Sequence, residues 1–120
     1  KLTVVASGSV VNEVLQAVEE LKQTGTAVEL VVASSIKQFD KTLWKSIKKT
    51  GRVLTVEDHN THSGLGSQIA RELTLKGISI ESFSMLGIEH YAMSGTVEEL
   101  YAEAEISSKK ILNKIQSNLK

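Results

Sequence analysis

The chain has 120 residues, and its 14 basic and 14 acidic side chains leave no formal net charge at neutral pH. This length suits one domain with a modest core, and the balanced charge argues against nucleic acid as a partner, because that binding needs a concentrated positive surface. Cysteine is absent, which excludes disulfides and thiolate chemistry, and the apolar runs are too short to span a membrane.

The first predicted elements are a buried strand and an amphipathic helix. Leu2 to Ala6 is an apolar run that ends in Ser7, Gly8 and Ser9, which is typical of a strand leaving the sheet through a tight turn. Apolar residues then recur at helical spacing, and Ser9 is the expected N-cap. Capping explains this serine, and an anion bound by the backbone of the Ser7, Gly8, Ser9 turn is the alternative.

Two further strand and helix units follow in the middle of the chain. Ala27 to Ala33 is a second β-branched run, and Asp40 is placed to cap a helix from about Lys41 to Thr50. Arg52 to Glu57 is the third predicted strand, and a polar loop separates it from a helix over Gln68 to Leu75. The alternation of strands and helices indicates a mainly parallel sheet.

The last part of the chain completes the predicted fold. Ile78 to Phe83 alternates weakly and is expected to be a less buried strand at a sheet edge. Thr96 and Glu99 have capping-box spacing, which predicts a helix through Glu105, and Ser107 is placed to cap a final helix. We therefore predict an α/β protein, a three-layer α/β/α sandwich around a mainly parallel sheet of about four to five strands.

Polar side chains are concentrated where the third predicted strand ends. Open α/β sheets place their sites at the carboxyl ends of strands, so binding or contact with a partner is expected there. The candidate binding or interface residues are Glu57, Asp58, His59, Asn60, His62, Gly64 and Gly66.

Other chemistries for this loop are weaker. His59 and His62 with two neighbouring acids contain zinc-ligand types, but their spacing in a loop does not ensure convergence, and we predict no metal. Gly64 and Gly66 resemble part of a dinucleotide fingerprint, but Ile69 occupies the place of its third glycine. No nucleophile, base and orienting group come together in the sequence, so no catalytic residue is assigned.

Three ordered stretches resemble the C-terminal domain of transketolases and cover nearly the whole chain. They read LTVVASGSVVNEVLQAVEEL from Leu2, SSIKQFDKTLWKSIKKTGRVLTVEDHNTHSGLGSQIAREL from Ser34 and LGIEHYAMSGTVEELY from Leu86. The chain departs from the family at Gln38, where the family often has proline, and at Ser63, where it often has glycine. We therefore expect residues 1–120 to form one domain similar to the transketolase C-terminal domain, and to be a fragment of a longer chain.

The resemblance implies a function for the parent enzyme. That enzyme would be a cytoplasmic homodimer of the pentose phosphate pathway that transfers two-carbon ketol units between sugar phosphates, using thiamine diphosphate and magnesium. The Gly-Asp-Gly and Asn-Asn motif of that cofactor site is absent here, so the isolated chain is expected to bind no cofactor, to be inactive and to support assembly with other domains and a second subunit. The alternatives are a stand-alone anion- or nucleotide-binding regulatory module, and the equivalent domain of a 2-oxo acid dehydrogenase β subunit or deoxyxylulose phosphate synthase.

Overall fold

Strands and helices alternate along the computed structural model, which describes residues 1–34, 39–60, 64–88 and 106–120 and, at positions 59, 60 and 88, the backbone alone. Strands β1 to β4 span Thr3–Ser7, Glu29–Val32, Arg52–Asn60 and Ser82–Ile88. Helices α1 to α4 span Val11–Gln23, Lys41–Thr50, Leu65–Lys76 and Ser108–Leu119, and a 3-10 turn at Gly8–Val10 precedes α1. None of the helices in the described ranges is long and apolar enough to cross a membrane.

The described strands form one parallel sheet in the order β2-β1-β3-β4. Thr3 of β1 is aligned with Glu29 of β2 on one side and with Val53 of β3 on the other. Parallel pairing brings the carboxyl ends of β1 and β3 together at one edge of the sheet, which we call the carboxyl edge, and the strand starts together at the opposite, amino edge. The predicted α/β fold with a mainly parallel sheet is confirmed.

Helices cover both faces of the sheet. Val4 and Ala6 of β1 belong to an apolar cluster with residues of α1 and α4, whereas Val5 belongs to a second cluster with residues of α2 and α3. Successive side chains of a strand point to opposite faces, so β1 contributes to both clusters and is buried along its whole length. The clusters on the two faces confirm the predicted three-layer sandwich.

Three predicted helix boundaries are confirmed in detail. Asp40 caps α2, and its carboxylate accepts hydrogen bonds from the backbone N–H groups of Thr42 at 2.9 Å and Leu43 at 3.3 Å. The same helix ends at Thr50, as predicted, and Gly51 follows it as the C-cap with a left-handed φ of 73°. Ser107 caps α4 through a bond of 3.4 Å from the Lys110 N–H. Local capping preferences were sufficient to place these ends.

Several predicted boundaries are shifted, and one predicted helix lies outside the described residues. Strand β3 continues to Asn60 rather than ending at Glu57, and α3 begins at Leu65 rather than Gln68. Ser9 is not the N-cap of α1, because its hydroxyl donates to Asp58 and the 3-10 turn delays the helix to Val11. The fourth strand begins at Ser82 rather than Ile78, because Ser82 is aligned with Arg52 at the start of β3 and Ile78 packs into the core of the α2 and α3 face. The helix predicted over residues 96–105 is outside the described ranges.

A chain of polar side chains ties α2 to the sheet near the amino edge. The Thr3 hydroxyl lies 2.7 Å from that of Ser46 and 2.8 Å from that of Thr50, and Ser46 in turn donates to the Glu29 carboxylate. The other Glu29 oxygen lies 2.6 Å from the Lys49 ammonium. Hydrogen bonds from Lys49 and then Ser46 hold the pKa of Glu29 below its usual value.

Candidate interface at the carboxyl edge

Glu57 begins the candidate site as a completely buried carboxylate, with 0% of its surface exposed. One of its oxygens accepts the backbone N–H of Leu65 and the other accepts that of Gly66, both at 2.8 Å. These N–H groups belong to the first turn of α3, where backbone donors have no partner within the helix. The N-cap residue is Gly64, which has no side chain to cap with, so Glu57 supplies both the acceptors and a negative charge at the positive helix end.

Gly66 allows the start of α3 to lie very close to the sheet. A Cβ atom at this position would come within 2.5 Å of the Met85 sulfur and 2.7 Å of the Thr55 hydroxyl oxygen. Both distances are below any normal contact, so a larger residue would displace Met85 and Thr55 or push α3 away from β3 and β4. The close approach also keeps the backbone N–H groups of Leu65 and Gly66 within hydrogen-bonding distance of Glu57. The two hydrogen bonds to Glu57 therefore depend on glycine at position 66.

Asp58 joins the end of β3 to the turn after β1. Its carboxylate accepts the Ser9 backbone N–H at 3.1 Å, and the Ser9 hydroxyl donates to the same oxygen. Gly8, in the same turn, has a φ of +80°, and a Cβ there would lie 2.4 Å from an Asp58 oxygen. A carboxylate of the chain itself, that of Asp58, therefore lies beside the Ser7, Gly8, Ser9 turn, and binding of an external anion there stays a prediction.

The structure brings several sequence-predicted residues together at the carboxyl edge. Ser7 is aligned with Glu57 in the sheet, so the β1 turn and the β3 end are neighbours. The backbones of His59 and Asn60 continue β3, whereas their side chains and the whole of His62 lie outside the described residues. The burial of Glu57 means that its side chain can influence a partner only by shaping α3. Binding or interface roles for these residues stay predictions.

Sequence reasoning missed the contacts that fix this edge. Ser9 and Asp58 are 49 positions apart, and only the parallel register of β1 and β3 would have brought them together. Met85 and Thr55 also gave no signal, because their role depends on how closely α3 approaches the sheet. The glycine at position 66 was the available clue, since glycine is favoured where the backbone approaches other groups closely.

A metal site is not formed by the described part of the chain. No group of three or more His, Cys, Asp or Glu side chains within it could hold a metal ion. Glu57 and Asp58 are already hydrogen-bonded to backbone donors, and the two nearby histidine side chains are outside the description. The expectation that this chain holds no metal therefore stays a prediction.

A parallel sheet between two helical layers, with acids at its carboxyl edge, defines an α/β domain. The family model described as "Transketolase, C-terminal domain" matches residues 1–111. The chain therefore belongs to the transketolase C-terminal domain family, as its sequence resemblance predicted.

Known proteins similar to this chain are considerably longer than it is. A Methanocaldococcus jannaschii protein described as a transketolase C-terminal section is 32% identical over 120 residues, which are 99% of this chain and 37% of that protein. A pyruvate dehydrogenase E1 component subunit beta of Staphylococcus epidermidis is 36% identical over 78 residues, 64% of this chain and 24% of the subunit. A solved "split gene transketolase, inactive beta4 tetramer" has a TM-score of 0.87 and 28% identity, with 99% of this chain and 39% of that chain covered.

Proposed function

We propose that this chain is the assembly-supporting C-terminal domain of a thiamine-diphosphate-dependent transketolase, which transfers two-carbon ketol units between sugar phosphates. Membership of the family and the greater length of the relatives support this role. The observation that carries it is the state of the carboxyl edge, where Glu57 and Asp58 are bonded to helix starts of their own domain. Such an edge is a shaped surface for docking rather than a reactive centre.

The chemistry of the carboxyl edge supports inactivity of the chain alone. Glu57 has both oxygens engaged by backbone donors and no exposed surface, so it cannot reach a substrate proton. Asp58 is bonded to the hydroxyl and the N–H of Ser9. In this arrangement the Asp58 carboxylate holds the turn after β1 in place.

The described residues also do not fit a diphosphate group. Helix starts attract phosphates because their N–H groups are free and positively polarised. At the carboxyl edge the donors of Leu65, Gly66 and Ser9 face carboxylates instead, and a diphosphate there would be repelled by two negative side chains. We therefore place thiamine diphosphate and its magnesium in other domains of the parent enzyme, and we derive no catalytic step through this chain.

The partners in this proposal are the other domains of the enzyme and a second subunit in a cytoplasmic homodimer that acts in the pentose phosphate pathway. The solved split-gene transketolase is an inactive β4 tetramer. That protein combines inactivity with assembly, which is the behaviour we propose for the present chain. Residues 1–120 would act as one domain within the larger protein, and the loop that begins at Glu57 would contact a neighbouring domain.

Reconstitution tests this function directly. The chain is assayed for ketol transfer between sugar phosphates with thiamine diphosphate and magnesium, alone and after mixing with the remaining domains of the parent enzyme. We expect no turnover from the chain alone and recovered turnover in the mixture, with complex formation followed by light scattering. Turnover by the chain alone, or failure of the chain to associate with those domains, would contradict the proposal.

A second candidate is the equivalent domain of a 2-oxo acid dehydrogenase β subunit, which the similarity to the pyruvate dehydrogenase subunit favours. The match to the transketolase section extends over more of the chain, 99% against 64%, and for this reason we prefer the transketolase. The reconstituted complex separates the two, because it would decarboxylate pyruvate in the presence of an electron acceptor only if the second candidate holds. A regulatory anion-binding module would instead show thermal stabilisation of the chain alone by sugar phosphates or nucleotides.

A further inference from the structure

Met85 combines an exposed surface with a sulfur atom that contacts the start of α3. The residue lies within β4 and is 40% exposed. Its sulfur lies 2.5 Å from the point where a Cβ atom of Gly66 would be, so the thioether fills the space between the strand and the helix. The other exposed large apolar side chains in the described ranges, Leu15, Val32 and Leu75, carry no sulfur. Because methionines that border solvent are open to oxidation, Met85 is a reactive group at this contact.

Thr55 lies next to Met85 and is completely buried. The two residues are aligned in β3 and β4, and neighbouring strands are about 4.8 Å apart. The Thr55 hydroxyl oxygen lies 2.7 Å from the same Gly66 Cβ position, so it shares the space beneath the helix with the sulfur. In the part of the chain that the structure describes, this hydroxyl has no hydrogen-bond partner.

The unpaired Thr55 hydroxyl indicates what an oxidised Met85 would gain. Almost all buried polar groups in proteins have a hydrogen-bond partner, and a buried hydroxyl without one lowers stability. A hydroxyl has one hydrogen to donate, and a thioether sulfur is only a weak acceptor. Oxidation of methionine gives a polar sulfoxide, whose oxygen is a much better acceptor. The oxidised side chain would therefore pair with a donor that the thioether leaves unpaired.

We propose that Met85 is a reversible oxidation site whose sulfoxide is bound by the Thr55 hydroxyl. The oxidant is a peroxide. A lone pair of the sulfur attacks one oxygen of hydrogen peroxide, the O–O bond breaks as the S–O bond forms, and the second oxygen leaves as water with both hydrogens. The sulfur is oxidised by two electrons, and the peroxide is reduced by two. The Thr55 hydroxyl then donates to the new oxygen at the contact between β4 and α3.

Treatment of the chain with dilute hydrogen peroxide tests the site. The chain has one other methionine, Met93, and Met93→Leu leaves Met85 as its single thioether. In this background Met85 should gain one oxygen atom in the folded chain, at a rate within about tenfold of that of an unstructured methionine peptide. Peptide mass spectrometry locates the oxygen, and Met85→Leu in the same background should take up none. Oxidation that occurs only after unfolding in urea would overturn the proposal.

Thr55→Val tests the hydroxyl, because valine has nearly the same shape and no donor. In the reduced protein it removes an unpaired buried group and should raise the Tm by about 3–6 °C. After oxidation of Met85 it removes a hydrogen bond, so this gain should disappear or become a loss. Thr55→Ser keeps the donor and should raise the Tm in neither state. An equal gain from Thr55→Val in both states would overturn the proposal.

The stereochemistry of the sulfoxide gives an independent readout. Oxidation makes the sulfur chiral, and the methionine sulfoxide reductases A and B each act on one epimer. The Thr55 hydroxyl should hold one epimer, so one reductase should restore Met85 about tenfold more slowly in the protein than in Thr55→Val. Equal rates in both proteins with both reductases would overturn the proposal. None of these readouts depends on ketol transfer, so a failed reconstitution and a failed oxidation site remain distinguishable.

Discussion

At both the carboxyl edge and the amino edge of the sheet, a glutamate joins a strand to a helix. The environments of the two glutamates differ. Glu57 at the carboxyl edge is completely buried and is bonded to two backbone N–H groups of α3. Glu29 near the amino edge is partly exposed and bonds to the Lys49 and Ser46 side chains of α2. Water can replace the partners of Glu29 but not those of Glu57. The same chemical group should therefore contribute very differently to stability.

The largest expected effect comes from Glu57→Gln, which keeps the shape of the side chain. One carboxylate oxygen becomes an NH₂ group that faces a backbone donor, and the charge at the start of α3 is lost. Leaving a buried donor without an acceptor should lower the free energy of unfolding by about 2–4 kcal/mol. Urea unfolding followed by circular dichroism and by the fluorescence of Trp44, the single tryptophan, measures this change.

Glu81→Gln is the matched control for that change. Glu81 is also a glutamate bonded to one other element, through Arg52 at 3.0 Å, but its side chain is 68% exposed. Its loss should lower the unfolding free energy by less than about 0.5 kcal/mol. Equal effects of the two substitutions would show that burial does not distinguish these carboxylates.

Gly8→Ala should have the next largest effect. Gly8 has a φ of +80°, and an added Cβ would lie 2.4 Å from an Asp58 oxygen. The strained backbone and the displaced carboxylate together should lower the unfolding free energy by about 2–3 kcal/mol. The measurement is again urea unfolding at neutral pH.

Asp58→Ala sharpens the Gly8 prediction through a double-mutant cycle. Alone it removes the bonds to Ser9 and should lower the unfolding free energy by about 1 kcal/mol. In its presence Gly8→Ala should be less harmful, with only the backbone strain of about 1–2 kcal/mol remaining. Additive effects would mean that Asp58 does not press against the turn.

A smaller effect than these is the pH dependence that Glu29 contributes. Its pKa is lowered in the folded protein from an ordinary value of 4.5, through Lys49 and then Ser46. A group with a lowered folded pKa adds stability above its unfolded pKa, and this contribution disappears as the pH falls through the folded value. The stability difference between the protein and Glu29→Gln should therefore be constant near neutral pH, stay below about 1 kcal/mol, and shrink below pH 4.5. A difference that grows in acid would contradict this assignment.

Much of the fold followed from local sequence rules, whereas the carboxyl edge depended on long-range contacts. Asp40 and Ser107 cap helices as predicted, because each acts on its own turn. Ser9 is an equally suitable capping residue, but its hydroxyl donates to Asp58 of another strand instead of capping α1. Ile78 was assigned to the fourth strand because it is apolar and directly precedes that strand. An apolar residue at this position is compatible with strand pairing and also with packing against the core, and Ile78 packs against the core. Sequence periodicity contains no information about such competition.

The hydroxyl chain beside α2 gives Glu29 an influence beyond its own contacts. Each hydroxyl has one hydrogen, so when Ser46 donates to the ionised carboxylate, Thr3 must donate to Ser46 and Thr50 to Thr3. The Thr50 hydroxyl also donates to the Arg52 carbonyl oxygen at 3.1 Å, so its one hydrogen is shared between that carbonyl and Thr3. Neutralising Glu29 would allow the whole row of O–H dipoles to reverse, with Thr50 then donating fully to that carbonyl. A proton gained at the surface would thus reach the first residue of β3 through reoriented hydroxyl groups.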